Sequence, residues 1–148
     1  MINEVVDRMI HHHFPDTVRI NRCLKLYHFA MSIAEAEGCY GDSFVAVCLS
    51  AILHDSGKND RSATGPSTAE KILSDLDFPQ TAKERTLYLI ENHRAHGAID
   101  SLDSQILAES DYLVKFKDER MSASSIRSIK KEMFKTETGK RLCSLMNA

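Results

Sequence analysis

The chain has 148 residues, 43% hydrophobic and 27% charged, the balance of a soluble globular protein with one core. Six glycines and three prolines are about half the usual share, which argues against a many-turned sandwich or barrel. Nineteen basic against 21 acidic residues, net −2, argue against a protein that grips nucleic acid on a broad basic face.

The N-terminal stretch carries Glu4 and Asp7 and lacks an apolar run, so a secretory signal is not expected. Cys23, Cys39, Cys48 and Cys143 form no CxxC pair and fit no common zinc spacing; reduced, buried thiols in a cytoplasmic protein are expected. Residues 2–13 predict a first helix, ended by Pro15, with His11, His12 and His13 on its surface. Asp16 is the predicted cap of a second helix that runs to about Glu37 and stops at Gly38. Cys23, Leu26, Ala30, Ile33 and Ala34 fall at helical spacing along it. Asp42 is the predicted cap of a third helix ending at His54. That helix is apolar nearly all round and is expected to be the most buried, and its apolar run from Phe44 to Leu53 is too short to span a bilayer.

Residues 56–66, with two glycines and a proline, read as a loop. Ser67 to Glu70 and Thr81 to Glu84 are capping-box patterns, predicting helices to about Leu76 and Asn92. Residues 93–100 read as a further loop, and Asp100 or Ser101 as the start of a helix through about Lys117. Two more helices are predicted near 122–135 and 138–146. Sustained period-two alternation is absent, so the expected architecture is an all-α bundle of at least seven helices, one domain over residues 1–148.

Three places can carry chemistry. His54-Asp55 ends the most apolar helix beside a polar loop; it reads either as a capped helix end or as an imidazole and a carboxylate offered to one cation. Asp111 lies beside the apolar stripe of its helix, with Leu107 and Val114 at i−4 and i+3, which favours an inward position over an exposed one. His93, Arg94 and His96 suit a phosphate or a second metal about as well as plain solvent exposure.

Taken in order, Ala51-Ile52-Leu53-His54-Asp55-Ser56-Gly57-Lys58, Gly65-Pro66-Ser67-Thr68-Ala69-Glu70, Ile90-Glu91-Asn92-His93 and Gln105-Ile106-Leu107-Ala108-Glu109-Ser110-Asp111 resemble the HD-domain metal-dependent phosphohydrolase superfamily. The tail from Phe134 to Leu142 is similar to that of a subgroup of small bacterial HD proteins. The resemblance implies an HD-domain, phosphodiesterase-like helical bundle, with terminal helices flanking the HD core. It implies a divalent ion (Mn, Fe, Ni, Zn or Mg) held by His54, Asp55 and Asp111, with Asp55 and Lys58 as catalytic residues. Arg22, Lys58, His93 and Arg94 would bind the phosphate.

One position departs from the family. The family's first histidine lies eleven residues before the pair matching Ile33-Ala34, and Arg22 stands there. His28, six residues on, is rotated by about 240° around the helix. The register therefore predicts Arg22 at the first-ligand position, turned toward Asp55 and Asp111, with His28 facing elsewhere. The expected function is hydrolysis of a nucleotide or other small phosphate ester. The alternative is a degenerate HD domain that binds a phosphorylated ligand or protein partner without turnover. The expected partner is a small phosphorylated molecule, not polymeric nucleic acid or a membrane; the oligomeric state stays open, a homodimer included.

Overall fold

A computed structural model describes residues 1–55 and 65–147, with residues 65–67 described in their backbone only. The described residues form eight helices and no strand: α1 (Ile2–His13), α2 (Thr17–Ala36), α3 (Gly41–Leu53), α4 (Gly65–Ser74), α5 (Gln80–Arg94), α6 (Leu102–Asp118), α7 (Ala123–Met133) and α8 (Glu137–Met146). The all-α reading holds, and none of these helices is long and apolar enough to cross a membrane.

The centre is α3. Every residue from Ala46 to Leu53 is buried. An all-round apolar helix has no face to give to water, so neighbours must cover it on every side. Helices α2, α5, α6 and α1 do so. One side of α3, Ala46, Val47, Cys48 and Ala51, packs into a cluster with α2, α6 and the C-terminal helices. The other side, Leu49, Ile52 and Leu53, packs with α1 and α4. The α2 stripe of Cys23, Leu26, Ala30, Ile33 and Ala34 is buried as its spacing requires.

Several helix ends follow the local sequence. The Asp16 carboxylate accepts from the Arg19 amide at 3.0 Å and caps α2. Gly38, at φ +73°, closes α2 in a Schellman turn: Cys39 N–H donates to Ala34 and Gly38 N–H to Glu35. Thr136 caps α8 through the Gly139 amide at 2.9 Å.

Other expectations need correction. Asp42 and Thr81 do not cap their own helices; the Thr81 hydroxyl donates to the Asp42 carboxylate and ties α5 to α3. A tertiary partner outcompetes the local amides. Helix α4 starts at Gly65, inside the expected loop, and residues 56–64 lie outside the described residues. Helix α5 continues to Arg94, so His93 and Arg94 are helical rather than in a loop. His13 is not a surface residue: it follows Val5 and Met9 at four-residue spacing, on the face of α1 turned to the core.

The tail is held by two acidic side chains. Glu109 on α6 is fully buried and accepts from Lys135 N (2.8 Å), Thr136 N (3.0 Å) and Thr136 Oγ1 (2.6 Å). Glu37 accepts from the amide and hydroxyl of Thr138, at 3.1 and 2.6 Å. A Cβ at Gly139 would come within 1.9 Å of Glu109 Oε1, so the close approach of the α8 N-terminus requires glycine there.

Candidate functional site

His54 is the C-cap of α3, and Asp55 follows it. The carbonyl end of a helix favours positive charge, which suits this place for a cation. Nδ1 of His54 lies 3.0 Å from the Ala51 carbonyl oxygen. A carbonyl can only accept, so Nδ1 carries the proton, and in the neutral ring Nε2 is left with a lone pair. Burial lowers the His54 pKa and so favours that neutral ring, against the opposing pull of the Asp55 and Asp111 carboxylates. Nε2 faces Asp55 Oδ1 at 3.4 Å. A lone pair set against a carboxylate oxygen at this distance is an arrangement that a cation between them stabilises. A backbone carbonyl behind the ring is also the usual support of a metal-ligating histidine.

Cys23, on α2, joins this pair. One donor atom each from Cys23, His54 and Asp55 all lie within 4.8 Å of one another. The Cys23 thiol is fully buried, and burial, reinforced by Asp55, pushes its pKa up to about 12. The residues present therefore fit a divalent ion.

A cavity of about 360 Å³ is lined by Arg22, His54, Asp55, His93, Arg94, His96 and Asp111, together with Lys115 and Asp118. Seven of the eight candidate residues read from the sequence thus line one cavity, although they come from α2, the end of α3, α5 with the turn after it, and α6. The eighth, Lys58, lies outside the described residues. A larger groove of about 770 Å³ runs beside it between α2 and α6, but neither His54 nor Asp55 lines it.

Asp111 points inward. Its Oδ2 is 2.8 Å from Lys115 Nζ and 3.3 Å from His93 Nε2. Burial alone would raise its carboxyl pKa, but the hydrogen bonds from His93 and Lys115 outweigh burial and hold it well below the usual carboxylate range. The His93 ring also meets the His54 ring edge-on, with centroids 6.3 Å apart, which links α5 to the end of α3.

The direction expected for Arg22 needs correction. Its Nε pairs with Asp118 Oδ2 at 3.5 Å, not with Asp55 or Asp111. Residue 22 sits half-buried on the cavity wall, and Asp118, two turns beyond Asp111 on α6, is the carboxylate on that side. His28 is exposed and lines the larger groove, which Arg22 also lines, and it does not line this cavity. Sequence reasoning missed Cys23, Lys115 and Asp118. Lys115 was signalled by its i+4 spacing from Asp111. Cys23 was signalled by its place on the stripe that faces α3, but it read there as an ordinary core thiol.

No family model, curated protein or solved structure matches this chain.

Proposed function

We propose that this chain is an HD-type metal-dependent phosphohydrolase acting on a nucleotide or another small phosphate ester. One observation carries the reading: His54, Asp55, His93 and Asp111 share a cavity with the cationic side chains of Arg22, Arg94 and Lys115. His54 and Asp55 hold the metal, and Asp111, paired with Lys115 and His93, lines the same cavity. A bound divalent ion supplies an acidified water and a polarised phosphoryl oxygen. Arg22, Arg94 and Lys115 bind and orient the phosphate, whose charge they offset. His93 fixes Asp111, and the buried floor behind His54 and Asp55 keeps bulk water from that side.

The 2.8 Å contact of Lys115 with Asp111 favours a second reading, in which the ammonium stands in for metal charge and the domain binds a phosphorylated ligand without turnover. Release of inorganic phosphate from a panel of nucleotides and sugar phosphates, with each of Mn, Fe, Ni, Zn and Mg, separates the two. Metal-dependent release that Asp55→Asn abolishes supports hydrolysis. Saturable ligand binding with no release under any metal supports the second reading and ends the first.

A further inference from the structure

We infer that Cys23 is a metal ligand through its thiolate, so that this site is a sulfur-containing, zinc-class centre in place of an all-nitrogen-and-oxygen one. The inference rests on the reading of His54 and Asp55 as metal ligands and names the third donor and the class of ion. Residues 22 and 23 lie about 100° apart around α2. Arg22 turns to the cavity wall and Asp118. Cys23 turns to α3 and is fully buried against the end of that helix. Position 23 thus offers a sulfur donor on the side where His54 and Asp55 already stand.

The geometry allows coordination. The three donor atoms lie within 4.8 Å of one another. Zinc bonds of ~2.0–2.3 Å at tetrahedral angles need donors about 3.5 Å apart. The donor atoms must draw together by about 1 Å to hold the ion. The charges also suit: one thiolate, one carboxylate and one neutral imidazole carry −2 against a divalent ion. Three protein ligands leave a fourth position, the arrangement of catalytic zinc sites. A thiolate donor selects zinc and its soft neighbours over magnesium and manganese, which prefer oxygen.

The test is cobalt(II) titration of the metal-free full chain, read by absorption spectroscopy. The expected result is one cobalt per chain with a sulfur-to-cobalt charge-transfer band in the near ultraviolet and the intense visible bands of a tetrahedral ion. Zinc added afterwards bleaches them, and magnesium does not. Cys23→Ser removes the charge-transfer band and weakens zinc binding at least ~10–100-fold. Cys48→Ser, a buried thiol elsewhere in the core, keeps the band. A weak six-coordinate spectrum from the wild-type chain, or no cobalt uptake, overturns the inference whether or not any variant folds. The two readings fail separately: the sulfur band without phosphate release from any substrate ends the phosphohydrolase reading and leaves the ligand. Phosphate release with a six-coordinate cobalt spectrum ends the ligand and leaves that reading.

Discussion

The Arg22 guanidinium pairs with Asp118 at 3.5 Å, and its sequence neighbour Cys23 is the residue of that helical turn buried beside His54 and Asp55. One turn of α2 thus serves two layers of the site, a charged wall and a buried floor. Arg22→Ala is expected to weaken phosphate binding by about tenfold, the worth of one charge-assisted hydrogen bond at the low end of its range. Global stability should change by less than ~1 kcal/mol, because the pair with Asp118 is partly solvated. His28→Ala should change neither. Isothermal titration with inorganic phosphate and urea unfolding check both variants.

Lys115→Met separates the two charges that compete for Asp111. Without the ammonium at 2.8 Å, the Asp111 carboxylate is open to a metal ion. Metal affinity is expected to rise and phosphate affinity to fall, each by roughly tenfold. Equilibrium dialysis with zinc and titration with phosphate read the two effects independently. Weaker metal binding in this variant would show that Lys115 supports the site instead of competing with it.

The tail clamp makes a stability prediction. Glu109→Ala leaves the amides of Lys135 and Thr136 and the Thr136 hydroxyl without their buried carboxylate. Each buried donor left unsatisfied costs about 1–3 kcal/mol, which for this group sums to roughly 3–5 kcal/mol. Thermal unfolding should fall by ~10 °C or more for a chain of this size. Gly139→Ala is expected to act in the same direction, since its Cβ would overlap Glu109 Oε1. Differential scanning calorimetry of both variants tests the clamp.

His13 gives a pH dependence with a defined sign. Burial lowers its pKa below 6.5, helped by His12 and Arg19 and opposed by Asp55 and Asp16. Nε2 is buried without a hydrogen-bond partner. The unfolded chain therefore takes up the proton first. The stability tied to neutral His13 is fully present above pH ~6.5 and is lost as pH falls toward its folded value, by at most ~1.4 kcal/mol per pH unit. His54, also lowered by burial, adds a slope of the same sign. In metal-free protein, His13→Leu should raise stability at pH 7 by ~1 kcal/mol and flatten the decline between pH 7 and 5. Urea unfolding across that range measures it, and an unchanged slope would mean that His13 takes its proton without unfolding.

Much of this architecture was legible because it depends on local rules. An apolar run with no polar face forces α3 to the centre, and Gly38 stops α2 because the chain must turn left-handed there. The spacing of Leu107, Asp111 and Val114 places Asp111 inward by helical geometry alone. Choices between partners were not legible. Asp42 and Thr81 each had a local amide to cap and took one another across two helices. Counting along α2 located Arg22 correctly at the cavity but not its partner Asp118, because that pairing depends on how α2 crosses α6. The tail drew notice as a resemblance, and its physical role emerged only with Glu109 and Glu37 beside Thr136 and Thr138. Cys23 carried no motif; its part in the site depends on which buried side of α3 bears the end at His54.

The most direct measurement of the central claim is the divalent metal content of tag-free protein after dialysis against limiting zinc, manganese, iron, nickel or magnesium, for the wild type and for Asp55→Asn. The predicted result is close to one ion per wild-type chain and none retained by Asp55→Asn, with both proteins equally helical by circular dichroism. Wild-type protein that retains no ion from any of the five solutions would contradict the assignment of His54 and Asp55 as metal ligands, and with it the proposed chemistry.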